Sequence, residues 1–157
     1  MSHIHREIDF IADVFIVFNN NVLLRKHDKY KTWMSPGGHI ELNEDPNEAA
    51  IREAKEEVGL DIVLDDSLLD RSVEILDGRQ LIPPYFLNRH YIIGNNNHEH
   101  ISMVYFARAT TDVILETSDR EKSEEIKWFS KEDLLQNNEI LPGVKFYALK
   151  AIEKLAQ

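Results

Sequence analysis

The stretch GHIELNEDPNEAAIREAKEEVGL, residues 38–60, contains the signals that decide the fold. Asp45 is followed at once by proline and, three residues on, by Glu48, which is the pattern of an N-cap with a capping box. Gly59 stands where a helix commonly ends in the left-handed conformation. These signals predict a helix over residues 46–58. Its apolar face, expected to pack on a sheet, consists of Ala50, Ile51, Ala54 and Val58.

Strand-like segments surround this helix. Segments rich in Val, Ile and Phe predict strands over residues 9–18, 22–24, 61–64, 73–76, 101–109, 113–115 and 126–129. The asparagines at 19–21 predict a hairpin turn. Residues 28–34 are expected to form a loop, 35–38 a tight turn, and 80–97 a long loop or an inserted hairpin. Two more helices are predicted to begin near Ser130 and Pro142. This mixed order predicts an α/β sandwich around a mixed sheet.

Composition excludes several classes of function. At 157 residues, the chain is expected to form one domain, residues 1–157, on a prior of about 150 residues per domain. A formal net charge of −10 argues against binding long nucleic acid or anionic membranes, which require a basic surface. No cysteine is present, so disulfides, thiolate zinc sites and a cysteine nucleophile are excluded. Because no apolar run approaches the ~20 residues of a membrane span, we expect a cytoplasmic protein.

Three carboxylates share one side of the predicted helix. At about 100° per residue, Glu53, Glu56 and Glu57 fall within an arc of about 100°. Clustered carboxylates repel one another unless a cation compensates them, and hard oxygen ligands suit Mg²⁺ or Mn²⁺. Arg52 is positioned to pair with one of these glutamates, and Glu44 can reach Arg52 if the preceding loop folds over. A solvated acidic face is the alternative interpretation.

The pattern of residues 38–60 as a whole is more specific than that of an acidic helix face. It specifies the residue at seven positions, which hold Gly, Glu or Arg. At about 7% per position, the probability that all seven occur by chance is on the order of 10⁻⁸. The segment Gly38-x5-Glu44-x7-Arg52-Glu53-Ala54-x-Glu56-Glu57-x-Gly59-Leu60 resembles the Nudix box, with no departure at its fixed positions. The resemblance implies a Nudix-type α/β/α sandwich and hydrolysis of a pyrophosphate bond with a divalent metal ion.

Roles for individual residues follow from this resemblance. Glu53, Glu56 and Glu57 match the family's metal ligands, and the carbonyl of Gly38 is a further candidate ligand. Supporting roles, orienting those ligands, fall to Arg52 and Glu44. The implied cofactor is Mg²⁺, with Mn²⁺ as the alternative. It would neutralise the substrate and lower the pKa of the attacking water.

The general base is less closely defined. In the family it is a box glutamate or a glutamate of a later loop. Residues 117–125 are acidic and precede a predicted strand, which makes Glu124 the first candidate and Glu121 the second. The alternative is that both are exposed loop charges.

Other polar residues give weaker signals. His98 and His100 alternate along a predicted strand and, with His90, suggest a metal site. Because no cysteine or firm third ligand accompanies them, the sequence favours a role in lining the substrate pocket over a zinc site. A solvated hairpin is the preferred interpretation of four nearby bases: Arg25, Lys26, Lys29 and Lys31. Four aromatic residues are interpreted as core or rim residues before base-stacking ones: Tyr30, Trp33, Tyr85 and Phe86.

The sequence as a whole predicts an enzyme that cuts a phosphoanhydride bond in a small nucleotide-type molecule. The alternatives are removal of pyrophosphate from the 5′ end of RNA and a nucleotide-sensing domain without activity. The complete box favours catalysis over sensing. Specificity is expected to come from residues 25–33 and 80–100, and the apolar residues of 80–97 are expected to cover the site or form a homodimer contact.

Overall fold

The computed structural model describes residues 8–115 and 123–156. Within those ranges the chain forms eight strands and three helices. In chain order they are β1 (Ile8–Phe18), β2 (Asn21–His27), β3 (Trp33–Met34), β4 (Gly37–His39), α1 (Pro46–Val58), β5 (Ile62–Leu64), β6 (Phe86–Ile92), β7 (Asn95–Ala109), β8 (Ser123–Phe129), α2 (Lys131–Gln136) and α3 (Pro142–Leu155).

The strands form one mixed sheet with β1 at its centre. The main path runs β3-β2-β1-β7-β5, with β4 paired to β1, β6 to β7 and β8 to β2. Strands β1 and β7 are parallel, with Asp9 opposite His100, and the other pairings are antiparallel. The predicted mixed sheet is confirmed.

Each face of the sheet is covered by a helix, because alternate residues of β1 point to opposite faces. One apolar core joins β1 to α1 through Ala12, Val14, Ile16, Ala50, Ala54 and Val58. The other joins β1 and β7 to α3 through Phe15, Val17, Val104, Ala148, Ala151 and Ile152. The resulting α/β/α sandwich is the predicted fold class, and α1 brings its carboxylates to the sheet from one side.

The local signals around α1 work as predicted. The Asp45 side chain accepts hydrogen bonds from the N–H groups of Asn47 and Glu48, and the Glu48 side chain accepts one from the Asp45 N–H. Gly59 ends the helix with φ of 69°. One part of the predicted apolar face is wrong: Ile51 is 43% exposed, because it lies at the margin of the stripe that meets the sheet.

The first turn and the two later helices also match the predictions. Asn19 and Asn20 have φ of 46° and 60°, the positive values that a tight turn between β1 and β2 requires. Helix α2 starts with a capping box at Ser130, and α3 starts at Pro142. Among the described residues, no helix combines the length and apolarity needed to cross a membrane.

Two predicted strands are wrong. Residues 73–76 and 113–115 form no strand, and their apolar side chains are largely exposed, with Leu76 93% exposed. Apolar content alone does not make a strand, which needs a neighbour for its backbone hydrogen bonds. Residues 80–97 contain β6 and the start of β7, so the inserted-hairpin interpretation is correct. The segments at 28–34 and 35–38 include the short strands β3 and β4, which pair with β2 and β1.

Candidate active site

Arg52 lies at the centre of a carboxylate network on α1. Its Nε and Nη2 donate to the two carboxylate oxygens of Glu44 at 2.9 and 2.6 Å. Its Nη1 donates to Glu53 at 2.7 Å and to Glu56 at 3.2 Å, and Nη2 also donates to the His39 carbonyl at 3.0 Å. The Arg52 hydrogen bonds lower the pKa of the Glu44 carboxyl. The loop before α1 therefore does fold over, and one guanidinium fixes three glutamates and strand β4.

Glu57 is held separately, by a residue of β2. Arg25 Nη1 lies 2.7 Å from Glu57 Oε1, and the two side chains are 2% and 3% exposed. The second carboxylate oxygen, Oε2, accepts the Gly37 N–H at 3.0 Å. Arg25 Nε donates in turn to Ser123 Oγ at 2.8 Å. The interpretation of Arg25 as part of a solvated hairpin is wrong. The sequence signal that was available is its place on the same strand face as Leu23, which is completely buried.

The two glycines of β4 lie directly against these carboxylates. Gly38 packs on the Glu53 side chain so closely that a Cβ atom at this position would lie 2.7 Å from Glu53 Cδ. Only glycine leaves room for the carboxylate. Two glutamates one helical turn apart therefore both meet the Gly37–Gly38 backbone: Glu57 accepts the Gly37 N–H, and Glu53 lies against Gly38.

This donor set fits a divalent cation. Four carboxylates (Glu44, Glu53, Glu56 and Glu57) face two guanidinium groups (Arg25 and Arg52), which gives a local charge of −4 + 2 = −2. Carboxylate and carbonyl oxygens are the ligands that Mg²⁺ and Mn²⁺ prefer. Arginine contacts of this kind fix the rotamers of metal-binding carboxylates, as outer-shell partners do in metal sites.

The first candidate for the general base lies on a different element from the α1 glutamates. Glu124, at the start of β8, forms an ion pair with Lys31 on the β2–β3 hairpin and is partly exposed. Its neighbour Ser123 contacts Arg25, which connects this end of β8 to Glu57. Glu121 lies outside the described residues.

A cleft of about 530 Å³ opens on the other side of the Gly37–Gly38 strand. Its lining is mostly apolar and aromatic, and it includes Tyr30, Tyr91 and Tyr147. Such clefts with a few polar groups are typical of small-molecule sites. Of the four aromatic residues singled out in the sequence, Tyr30 lines the cleft, whereas Trp33 is buried in the core and Tyr85 stacks on Phe106.

Asp13 is a carboxyl group of this cleft that sequence reasoning missed. Burial raises its pKa to about 6, although the hydrogen bond from Ser102 acts in the opposite direction. It lies between Ala12 and Val14 in a strand that is otherwise mostly apolar, and an acid at such a position is the signal that was available.

The histidines fall at the edge of the same cleft. His39, His90 and His100 line it, whereas His98 contacts the buried Asp9. Burial, with a further contribution from the neighbouring histidines, lowers the pKa of His100 to about 4. Of the two histidines predicted to line the substrate pocket, His100 lines this cleft and His98 is not among its lining residues. Two neighbours of His100, Asp9 and His39, lie on other strands, so no local pattern of the sequence links them to it.

The model for the NUDIX domain matches residues 10–149 of this chain. A crystal structure of a NUDIX-family hydrolase from Clostridium perfringens is 37% identical, covers 94% of this chain and 97% of its own, and superposes with a TM-score of 0.83. An 8-oxo-dGTP diphosphatase from Proteus vulgaris is 31% identical over 86 residues, 52% of this chain and 76% of that protein. A MutT NUDIX hydrolase from Burkholderia pseudomallei shares the fold, with 21% identity, a TM-score of 0.64, and coverage of 96% of this chain and 99% of its own.

Proposed function

Because the chain belongs to the Nudix family and is a Nudix pyrophosphohydrolase, we propose that it hydrolyses the pyrophosphate bond of a small nucleotide. That nucleotide is either a nucleoside triphosphate or a molecule linked to a nucleoside diphosphate. One observation carries the proposal. The Gly37–Gly38 strand has the α1 carboxylates on one side and the apolar cleft on the other. A nucleotide in the cleft would thus extend its phosphates over these glycines toward the glutamates.

Glu53, Glu56, Glu57 and the Gly38 carbonyl would hold the divalent ion, Mg²⁺ or Mn²⁺. When bound, the ion neutralises the pyrophosphate oxygens and lowers the pKa of water. The protein's own contribution is orientation. Arg52 and Glu44 hold Glu53 and Glu56 in one arrangement, and Arg25 holds Glu57.

The reaction needs a water molecule and a base. The water oxygen forms a new bond to phosphorus as the bridging phosphorus–oxygen bond breaks, and the water proton passes to a carboxylate. We assign this role to Glu124, with Glu121 and a box glutamate as the alternatives. Its support is position: Glu124 adjoins Ser123, which contacts the Arg25 that pairs with Glu57.

The cleft is suited to a ring system as the group attached to the phosphates. Tyr30, Tyr91 and Tyr147 present aromatic surface on which a nucleobase can stack. The cleft also offers hydrogen-bonding side chains to such a ring, including Asp13, Asn88 and His90. The Proteus vulgaris relative is named for an oxidised guanine nucleotide, so purine nucleoside triphosphates are the first substrates to test.

The test is release of phosphate, pyrophosphate and nucleotide from a panel of substrates. The panel contains nucleoside triphosphates with normal and oxidised bases, nucleotide sugars, dinucleoside polyphosphates and RNA with a 5′ triphosphate. Each is assayed with Mg²⁺, with Mn²⁺ and with a chelator. We expect metal-dependent turnover of a small nucleotide, reduced at least about 100-fold in Glu53→Gln and Glu57→Gln, as for loss of a main electrostatic group.

Two control variants sharpen this test. Glu74→Gln, an exposed loop residue, should leave turnover unchanged. Glu125→Gln is the matched control for Glu124→Gln, because both residues are exposed on β8 and differ by one position. Equal turnover rates of Glu124→Gln and Glu125→Gln would indicate that another glutamate is the general base. Nucleotide binding without turnover of any panel member would instead indicate a sensing domain, and preference for the RNA would indicate 5′-end processing.

A further inference from the structure

Four side chains outside the box converge near the start of β1. His98 and His100 alternate along β7 and so point to the same face of the sheet. Asp9 is directly opposite His100 in the parallel β1–β7 pair. His39, on β4, pairs with Ile11, two residues along β1 from Asp9. Three strands thus bring three imidazoles and one carboxylate to a single place.

The distances suit a metal ion. One nitrogen of each histidine and one oxygen of Asp9 all lie within 4.8 Å of one another. His98 Nε2 is 2.9 Å and His39 Nε2 is 3.3 Å from Asp9 Oδ2. In a tetrahedral zinc site with bonds of about 2.0–2.1 Å, ligand atoms are about 3.3 Å apart. Binding would draw the four ligand atoms from separations of up to 4.8 Å to about 3.3 Å.

Burial gives an independent reason for a cation here. His100 Nε2 is a buried nitrogen atom that makes no hydrogen bond to a described residue, and His98 Nε2, also buried, has the Asp9 carboxylate at 2.9 Å without an aligned hydrogen bond to it. Leaving buried polar atoms in this state is costly. Asp9 is also buried, and buried carboxylates are ordinarily paired with cations or bound to metals. A metal ion at the centre would bind both nitrogens and the Asp9 carboxylate together.

We propose that Asp9, His39, His98 and His100 bind one Zn²⁺ ion per chain, at a site separate from the box. Three imidazoles and a carboxylate match the ligand preference of zinc, whereas the all-oxygen set on α1 favours Mg²⁺. Four protein ligands leave no open position, which is the mark of a structural zinc site. The ion would fasten β4 to β1 and β7, next to the cleft that His39 and His100 line.

Cobalt substitution tests the site without any measurement of activity. The full chain is stripped with a chelator and titrated with Co²⁺ in excess Mg²⁺, which occupies the oxygen ligands of α1. Tetrahedral Co²⁺ with nitrogen ligands absorbs visible light much more strongly than octahedral Co²⁺ with oxygen ligands. We expect the strong bands, their loss on addition of Zn²⁺, and one tightly bound zinc per chain by elemental analysis. Weak octahedral bands from the native chain would overturn the proposal.

Variants then assign the ligands. His98→Ala and Asp9→Asn should weaken zinc binding by more than the roughly 10- to 100-fold that loss of an outer-shell partner costs. His90→Ala is the matched control, since His90 lies opposite His100 on β6 but outside the four-residue set. Glu53→Gln should also retain the bands. Circular dichroism checks folding, and the near-isosteric Asp9→Asn serves if His98→Ala does not fold. Unchanged zinc affinity in both ligand variants, or loss of the bands in Glu53→Gln, would refute the assignment.

Discussion

The side chain of Arg25, on β2, lies 2.7 Å from that of Glu57, on α1, and both are almost fully buried. The pair crosses from the sheet to the helix, and it positions one of the three glutamates proposed to bind the metal ion. A buried ion pair of this kind adds little net stability relative to an apolar pair. We attribute its value here to holding the Glu57 carboxylate in a single orientation at the Gly37 N–H.

Removing Arg25 alone should therefore be severe. Arg25→Met leaves a buried carboxylate without its cation, and we expect the free energy of unfolding to fall by about 3–5 kcal/mol. The double variant Arg25→Met/Glu57→Gln should recover a large part of this loss, because no unpaired charge remains. Urea unfolding of the four proteins of this cycle measures both effects. Arg71→Met, which breaks an exposed ion pair with Asp66, is the control and should change stability by less than about 1 kcal/mol. If the changes in unfolding free energy of the two single variants simply added up in the double variant, Arg25 and Glu57 would not be energetically coupled.

Arg52 should be needed for its shape as well as its charge. Its planar group bonds Glu44 through two nitrogens, and a lysine ammonium cannot reproduce this fork. For Arg52→Lys we expect the Mg²⁺ concentration that half-activates the enzyme to rise roughly 10- to 100-fold, with partial recovery of activity at high Mg²⁺. Arg79→Lys, at an exposed arginine that also contacts two carboxylates, should leave this value unchanged. A fall in maximal rate with no change in metal requirement would argue against a positioning role.

Gly38 tests the close approach of β4 to the carboxylates. In Gly38→Ala the added methyl group would overlap the Glu53 side chain, which must then move. We expect kcat/KM to fall at least about 10-fold, since small displacements of catalytic groups are costly, while circular dichroism shows the native fold. Gly78→Ala, where the added carbon meets only Ile75 on an exposed loop, provides the comparison. If Gly38→Ala retained full activity, the contact with Glu53 would have no catalytic importance.

Asp13 should make stability depend on pH. Its pKa in the folded protein, raised to about 6 by burial, exceeds the ordinary aspartate value of 3.8. The folded state thus favours the protonated carboxyl, and this stabilisation is complete below about pH 4 and lost as pH rises through about 6. Asp13→Asn removes the ionisation. Its stability relative to the native chain should therefore increase between pH 4 and pH 8, by about 1–3 kcal/mol at 1.36 kcal/mol per pKa unit. Chemical unfolding at both pH values measures this, with the exposed Asp61→Asn as control. A pH-independent difference would show that Asp13 does not titrate in this range.

Local signals made most of the fold predictable. The caps at Asp45 and Ser130, the glycine at 59 and the asparagine turn each depend on residues close in sequence, and all of them appear in the structure. Strands were less predictable where their formation depends on a neighbouring strand. Residues 73–76 have a strand-like composition but no partner, whereas Gly37–His39 has little strand propensity and is a strand because β1 lies beside it.

The sequence by itself determined the helix of residues 46–58, the spacing of its glutamates and, from these, the family. All of these depend on the regular geometry of one helix, which spacing alone defines. Only the tertiary structure decided which cations meet those glutamates and which residues share a site. Arg25 is 32 positions from Glu57, and Asp9 is 89 positions from His98, yet each pair is in contact because β2 and β7 flank β1. Contacts between strands depend on register across the sheet, and no local pattern in the chain specifies that register.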